Sequence, residues 1–177
     1  LLASAAVMMC YFSSCGGGKK ADDTASAETT TTADANDGWV AIFDGKTFDG
    51  WRGYNRTDVP TKWTIEDSAI KFNGSGGGEA QDGDGGDLIY ATKQKNFELE
   101  FESKVAKGSN SGVFFYIQEI PGQPAYISAP EFQILDNDNH LDARLGLDGN
   151  LMSTSLYDMI PANPQNSKPF GVWNNNK

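Results

Sequence analysis

From Phe97 to Val105 apolar and polar residues alternate one by one, with Phe97, Leu99, Phe101 and Val105 on one side and Glu98, Glu100, Glu102 and Lys104 on the other. That period of two is the mark of a strand buried on one face. Gly112 to Gln118 alternates again, Val113, Phe115 and Ile117 standing opposite Phe114, Tyr116 and Gln118. Glu131 to Leu135 sets Phe132 and Ile134 against Glu131 and Gln133. Lys62 to Phe72 reads as two short strands around a Glu66-Asp67-Ser68 turn. No segment keeps a 3.6-residue apolar period. The pattern predicts an all-β jelly-roll sandwich of two antiparallel sheets. It places the strands at 97–105, 111–118 and 131–135 side by side in one sheet, with Phe101, Phe115, Ile117 and Ile134 between the sheets.

The first residues break from this pattern. Leu1 to Ser14 form an apolar run too short to span a bilayer, with small residues just before Cys15. Residues 1–15 read as a lipoprotein signal segment ending at the lipidation candidate Cys15; Cys10 fits less well because Met8 and Met9 are not small. Residues 16–37 hold no aromatic or large aliphatic side chain, so they cannot build a core and read as a flexible linker. The globular domain then runs over 38–177. This organisation predicts a bacterial cell-envelope protein anchored in the outer membrane by lipid. The Lys19-Lys20-Ala21-Asp22-Asp23 stretch is compatible with display at the cell surface.

Composition narrows the function. A formal charge of −10 with no Lys/Arg cluster argues against nucleic acid as a partner. Both cysteines precede the globular part, which therefore has neither a disulfide nor a thiolate metal site. The acidic loop Asp82–Asp87 is not an EF-hand, since Lys93 sits where the bidentate glutamate belongs.

The polar strand faces carry the chemistry. Phe114, Tyr116, Gln118, Glu131 and Gln133 combine rings, amides and a carboxylate. Amides and carboxylates bond pairs of sugar hydroxyls, and rings stack on the apolar face of a pyranose. Tyr116, Gln118, Gln133, Asn137 and Tyr157 are candidate substrate contacts, although Tyr157 serves equally as a core tyrosine with its hydroxyl at the rim. Glu131 is the first candidate for a catalytic base or a cation ligand, against the plainer role of a hydrogen-bonded strand carboxylate. His140 is the sole histidine; it fits an acid, a base, a ligand or a solvated loop residue. Asp136 and Asp138 with Asn137 fit either a hard-cation site or an Asx-rich turn.

Ile42-Phe43-Asp44-Gly45-Lys46 leading to Gly50-Trp51, Ser109-Asn110-Ser111-Gly112-Val113-Phe114-Phe115, and Glu131-Phe132-Gln133-Ile134-Leu135-Asp136 recur in order with Ser155-Leu156-Tyr157-Asp158 and Lys168-Pro169-Phe170-Gly171-Val172-Trp173-Asn174. Together they resemble the 3-keto-disaccharide hydrolase domain, formerly a domain of unknown function, whose fold is similar to the concanavalin A-like lectin and glucanase sandwich. The resemblance covers residues 39–174. It implies further strands after Trp173-Asn174, including a late histidine-glycine segment, and so a sandwich incomplete at the C-terminus of this chain.

The resemblance also implies a substrate already oxidised at sugar C3. The ketone acidifies the C2 hydrogen, so a base forms an enolate that expels the C1 aglycone. Water then adds back, or the reaction stops as an elimination. The expected enzyme is thus a glycoside hydrolase or lyase with Glu131, His140 and Asp136 as catalytic candidates. No cofactor is assigned, and a divalent cation is compatible. Two rivals remain. Glu131-x-Gln133-x-x-Asp136 has the spacing of the acid strand of retaining glucanases, with an amide replacing the central acid. A lectin-like binding module would use the same face without a base.

Overall fold

A computed structural model describes residues 11–13, 38–74 and 85–177. Cys15, the 16–37 linker and the loop acids Asp82 and Asp84 lie outside the described residues. Among the described residues every regular element is a strand, apart from two 3-10 turns at Ala125–Ile127 and Leu141–Arg144.

The strands are β1 (Tyr11–Ser13), β2 (Trp39–Ala41), β3 (Trp51–Gly53), β4 (Trp63–Glu66), β5 (Ala69–Phe72), β6 (Leu88–Tyr90), β7 (Glu98–Ser103), β8 (Asn110–Phe114), β9 (Glu131–Leu135) and β10 (Asn174–Asn176). Four lie in the order β10-β7-β1-β2; the others pair as β3-β6, β4-β5 and β8-β9. All ladders are antiparallel. β1 falls inside the segment whose sequence reads as a signal, yet it is laddered to β2 on one side and β7 on the other.

β4 and β5 form the hairpin expected from Lys62–Phe72. Asp67 and Ser68 take φ of 51° and 60°, the double left-handed backbone that fits the twist of a two-residue hairpin. At the start of the domain the Asp44 carboxylate accepts N–H bonds from Lys46 (2.8 Å) and Thr47 (2.7 Å) and so closes the Asp44-Gly45-Lys46 turn. The core gathers Ile42, Phe43, Trp51, Ile70, Phe101, Val105 and Ile134. Trp51 keeps its indole N–H satisfied on the Ile42 carbonyl at 2.7 Å. Phe101 of β7 meets Phe132 of β9 edge-on at 5.6 Å, which joins the two sheets through their inner faces.

Two expectations are corrected here. Among the described residues β7 pairs with β1 and β10, whereas β8 pairs with β9 alone, so the three alternating segments do not share one sheet. β8 also stops at Phe114 instead of running to Gln118. Tyr116 adopts φ 57°, which a bulky residue rarely does, and this turns the chain out of the ladder. Phe101 and Ile134 are in the core as expected, while Phe115 and Ile117 are half-buried and outside the cluster.

The turned-out segment is fastened from a distance. Arg52 forks onto both Glu119 oxygens at 2.6 Å, and the Asn55 N–H donates to the same carboxylate at 2.8 Å. The Tyr54 hydroxyl donates to the Gln118 carbonyl and accepts from the Ile120 N–H, both at 3.1 Å. The Arg52 guanidinium holds the Glu119 carboxyl down at about 2, with the Asn55 N–H helping against partial burial.

Candidate functional site

The β8-β9 register aligns Phe114 with Glu131, Gly112 with Gln133 and Asn110 with Leu135. Opposed residues share a face, so Asn110, Gly112, Phe114, Glu131 and Gln133 lie on one side. Val113, Phe132 and Ile134 lie on the other, against the core. Glu131 is half-buried and leans diagonally across to β8, its carboxylate lying over the α-carbon of Gly112. Nothing larger than glycine would leave that space.

The second edge of β9 is covered by the chain returning through 153–157. Tyr157 N–H donates to the Glu131 carbonyl at 2.9 Å, and Gln133 N–H donates to the Ser155 carbonyl at 3.0 Å. Thr154 N–H donates to the Gln133 carbonyl at 2.8 Å, so Thr154 and Ser155 together oppose one residue, a β-bulge. Thr154 sits there at φ 68°, where glycine is usual, and its hydroxyl is buried without a hydrogen-bond partner. This return strand sets Tyr157 opposite Glu131 along the backbone.

Gln133 is a correction. It is 1% exposed, its side-chain oxygen accepting from the Ile134 N–H at 3.1 Å. Enclosed where the bulged segment folds back along β9, it cannot reach a substrate. Asp136 is also 1% exposed. Its carboxylate accepts from Gly108 N–H at 2.6 Å, the Asn139 amide at 2.8 Å and Asp138 N–H at 3.2 Å. Burial pushes its pKa up, but these donors outweigh burial and leave it below the usual carboxylate range. The geometry therefore gives Asp136 the task of tying the 106–109 turn to the 136–140 loop, in place of catalysis or cation binding. Asn137 is likewise consumed, accepting from Ser153 N–H and donating to the Ser167 hydroxyl, both at 2.8 Å. Among the described residues no three His, Cys, Asp or Glu side chains gather as a metal-binding group.

His140 caps the Leu141–Arg144 turn. Its Nδ1 accepts the Asp142 N–H at 3.2 Å, and the Asp142 carboxylate lies 3.7 Å from the same nitrogen. That bond assigns the ring proton of neutral His140 to Nε2. The Asp142 carboxylate also accepts from the Asn110 side-chain amide at 3.2 Å. Asn110 is two residues from Gly112 on the same face, so Asp142 links His140 to the strand that Glu131 leans over. Asn110, Gly112 and Asp142 were not singled out by sequence reasoning. A glycine inside the alternating strand was the one local signal available.

Tyr116 is 62% exposed just past the Glu131 end of the face, its ring packed 5.8 Å from Phe97. Gln118 is exposed, but its backbone is held by Ser128 and Tyr54. The left-handed turn at Tyr116 breaks the alternation that would have placed Gln118 on the Glu131 face. The structure thus pairs Glu131 with Tyr157 along the backbone and ties His140 to β8 through Asp142 and Asn110; it sets Gln133, Asp136 and Asn137 into the scaffold.

A 3-keto-disaccharide hydrolase of Bacteroides thetaiotaomicron is 67% identical over 150 residues, covering 80% of this chain and 52% of that protein. The chain thus spans about half the length of that relative. A crystal structure from Parabacteroides distasonis, described as a candidate glycosyl hydrolase, superposes with a TM-score of 0.64 at 26% identity, covering 77% of this chain and 60% of that one. The model of the 3-keto-alpha-glucoside-1,2-lyase-like domain matches residues 38–177. With its antiparallel all-β architecture and the match over its whole described domain, the chain belongs to the 3-keto-alpha-glucoside-1,2-lyase-like domain family.

Proposed function

We propose that the protein cleaves the glycosidic bond of a 3-keto glycoside, with Glu131 as the base. The observation that carries this reading is the Glu131 carboxylate laid over Gly112 on a strand face shared with Asn110 and flanked by Tyr157. Glu131 takes the C2 proton, and the C2–H electrons form an enolate with the C3 ketone. As the enolate collapses, the C1–O bond breaks and the aglycone leaves with a proton. His140 would be the proton source in its imidazolium form, whose Nδ1–H faces the Asp142 carboxylate at 3.7 Å. Hydration of the resulting double bond completes a hydrolysis; without it the reaction is an elimination.

The retaining-glucanase alternative needs two carboxyl groups about 5–5.5 Å apart across the substrate. Of the residues at the glucanase spacing, Gln133 is an amide and Asp136 is sequestered by three donors. Proton abstraction needs a single base, so the geometry favours it.

The test uses the full-length protein and an oxidised disaccharide. Glu131→Gln keeps the shape and removes the charge, and turnover should fall ~10²-fold or more, the scale of a general base. Turnover at the wild-type rate would remove Glu131 from the mechanism. Binding of the oxidised sugar without turnover by the wild type would favour a lectin-like module. We propose in addition that Cys15 carries a lipid anchor in the cell envelope. Cys15→Ala should then move the protein out of the membrane fraction, each buried methylene of an acyl chain being worth about 0.8 kcal/mol. A variant still in the membrane fraction would refute the anchor.

A further inference from the structure

Gly112 stands inside β8, where glycine weakens a strand and is kept for a reason. Its backbone is outside the left-handed region, so conformation is not the reason. Space is. A methyl group placed on Gly112 would collide with Glu131 Oε1 and come within 2.6 Å of Cδ and 2.7 Å of Cγ. The three nearest atoms all belong to that one side chain.

We infer that Gly112 is a positioning residue for the base: its missing side chain is the seat on which the Glu131 carboxylate lies. Across the ladder Glu131 faces Phe114, and Gly112 is its diagonal neighbour. The diagonal lean carries the carboxylate along β8 toward Asn110 and so toward the Asp142–His140 pair. A side chain at 112 would force Glu131 into another rotamer and turn the carboxylate off that line. The inference rests on Glu131 being the base, and the experiment separates the two claims.

Gly112→Ala, Glu131→Gln and the double variant would be assayed in the full-length protein on the oxidised disaccharide. Gly112→Ala should lower kcat about 10- to 100-fold, the usual effect of displacing a reacting group by an ångström, with KM changed far less. In the Glu131→Gln background the same change should have no further effect, because Gly112 acts only through the carboxylate. An equal loss of kcat in both backgrounds would overturn the inference, as would wild-type turnover in Gly112→Ala while Glu131→Gln is inactive. Wild-type turnover in Glu131→Gln would instead defeat the base assignment. Folding is covered by a second cycle read from thermal midpoints. Gly112→Ala should lower the midpoint, and combining it with Glu131→Ala, which empties the space, should restore it. A midpoint drop that persists in the Glu131→Ala background would show that Gly112 does not serve as the seat.

Discussion

Glu131 opens β9 and Asp136 stands just past its last residue, five positions on, and the two carboxylates differ in burial and in what they are packed against. Asp136 is buried and its oxygens are satisfied by three N–H donors from a turn and a loop. Glu131 is half-buried and displaced sideways over a glycine, its carbonyl bonded to the Tyr157 N–H. An acid surrounded by fixed donors is held as an anion and cannot take a proton at neutral pH. Glu131 lies over the Gly112 backbone on a half-exposed strand face, so the two carboxylates differ in burial and in access.

The comparison breaks most readily at Asp136. Asp136→Ala orphans Gly108 N–H, the Asn139 amide and Asp138 N–H at once, and should cost about 3 kcal/mol or more of folding stability. Glu131→Gln should cost less than about 1 kcal/mol in the same denaturant titration. Equal costs would mean that Glu131 is structural too. Asn137→Ala, which opens the clasp to Ser153 and Ser167, should follow with about 1–2 kcal/mol and leave the KM for the oxidised sugar near wild type. A large rise in KM would return Asn137 to the substrate site.

The smallest effect is in acid. Asp136 and Glu119 both have depressed folded-state values, Glu119 at about 2 against an ordinary 4.5. The unfolded chain therefore binds protons first as pH falls, and acid favours unfolding. The stabilisation is complete above the ordinary carboxylate range and disappears as pH drops from about 4.5 toward 2. Glu119→Gln should flatten part of that slope, by about 1 kcal/mol once solvent screening of a partly exposed pair is allowed for. An unchanged slope would show that the Arg52 fork does not survive in solution.

What could be read from the sequence divides along similar lines. The alternation at 97–105 and 131–135 holds because those residues lie in ladders, where side-chain direction follows backbone position. It fails after Phe114 because the cause lies over sixty residues away, in Arg52, Tyr54 and Asn55, which fasten the 118–120 segment. Glu131 was legible as a polar residue on a strand face. The burial of Gln133 was not, since it depends on a bulge at Thr154 that no local pattern announces. Asp136, flanked by Asn137 and Asp138, carried two readings, and only the donors supplied by Gly108 and Asn139 choose the turn over the cation site.

One feature of the four-stranded sheet bears on the life history of the protein. Tyr11–Ser13 lie between β2 and β7, with ladder partners on both sides. Those residues also precede Cys15, where a signal peptidase would cut if the proposed anchor is real. The same tripeptide cannot be both discarded and retained. In a processed molecule the edges at Trp39–Ala41 and Glu98–Glu100 would face each other across a vacancy two strand spacings wide, about 10 Å. Their amides and carbonyls would recruit another segment as a guest strand or stay open to water. Removing Tyr11–Ser13 would thus leave both β2 and β7 without the ladder partner they share.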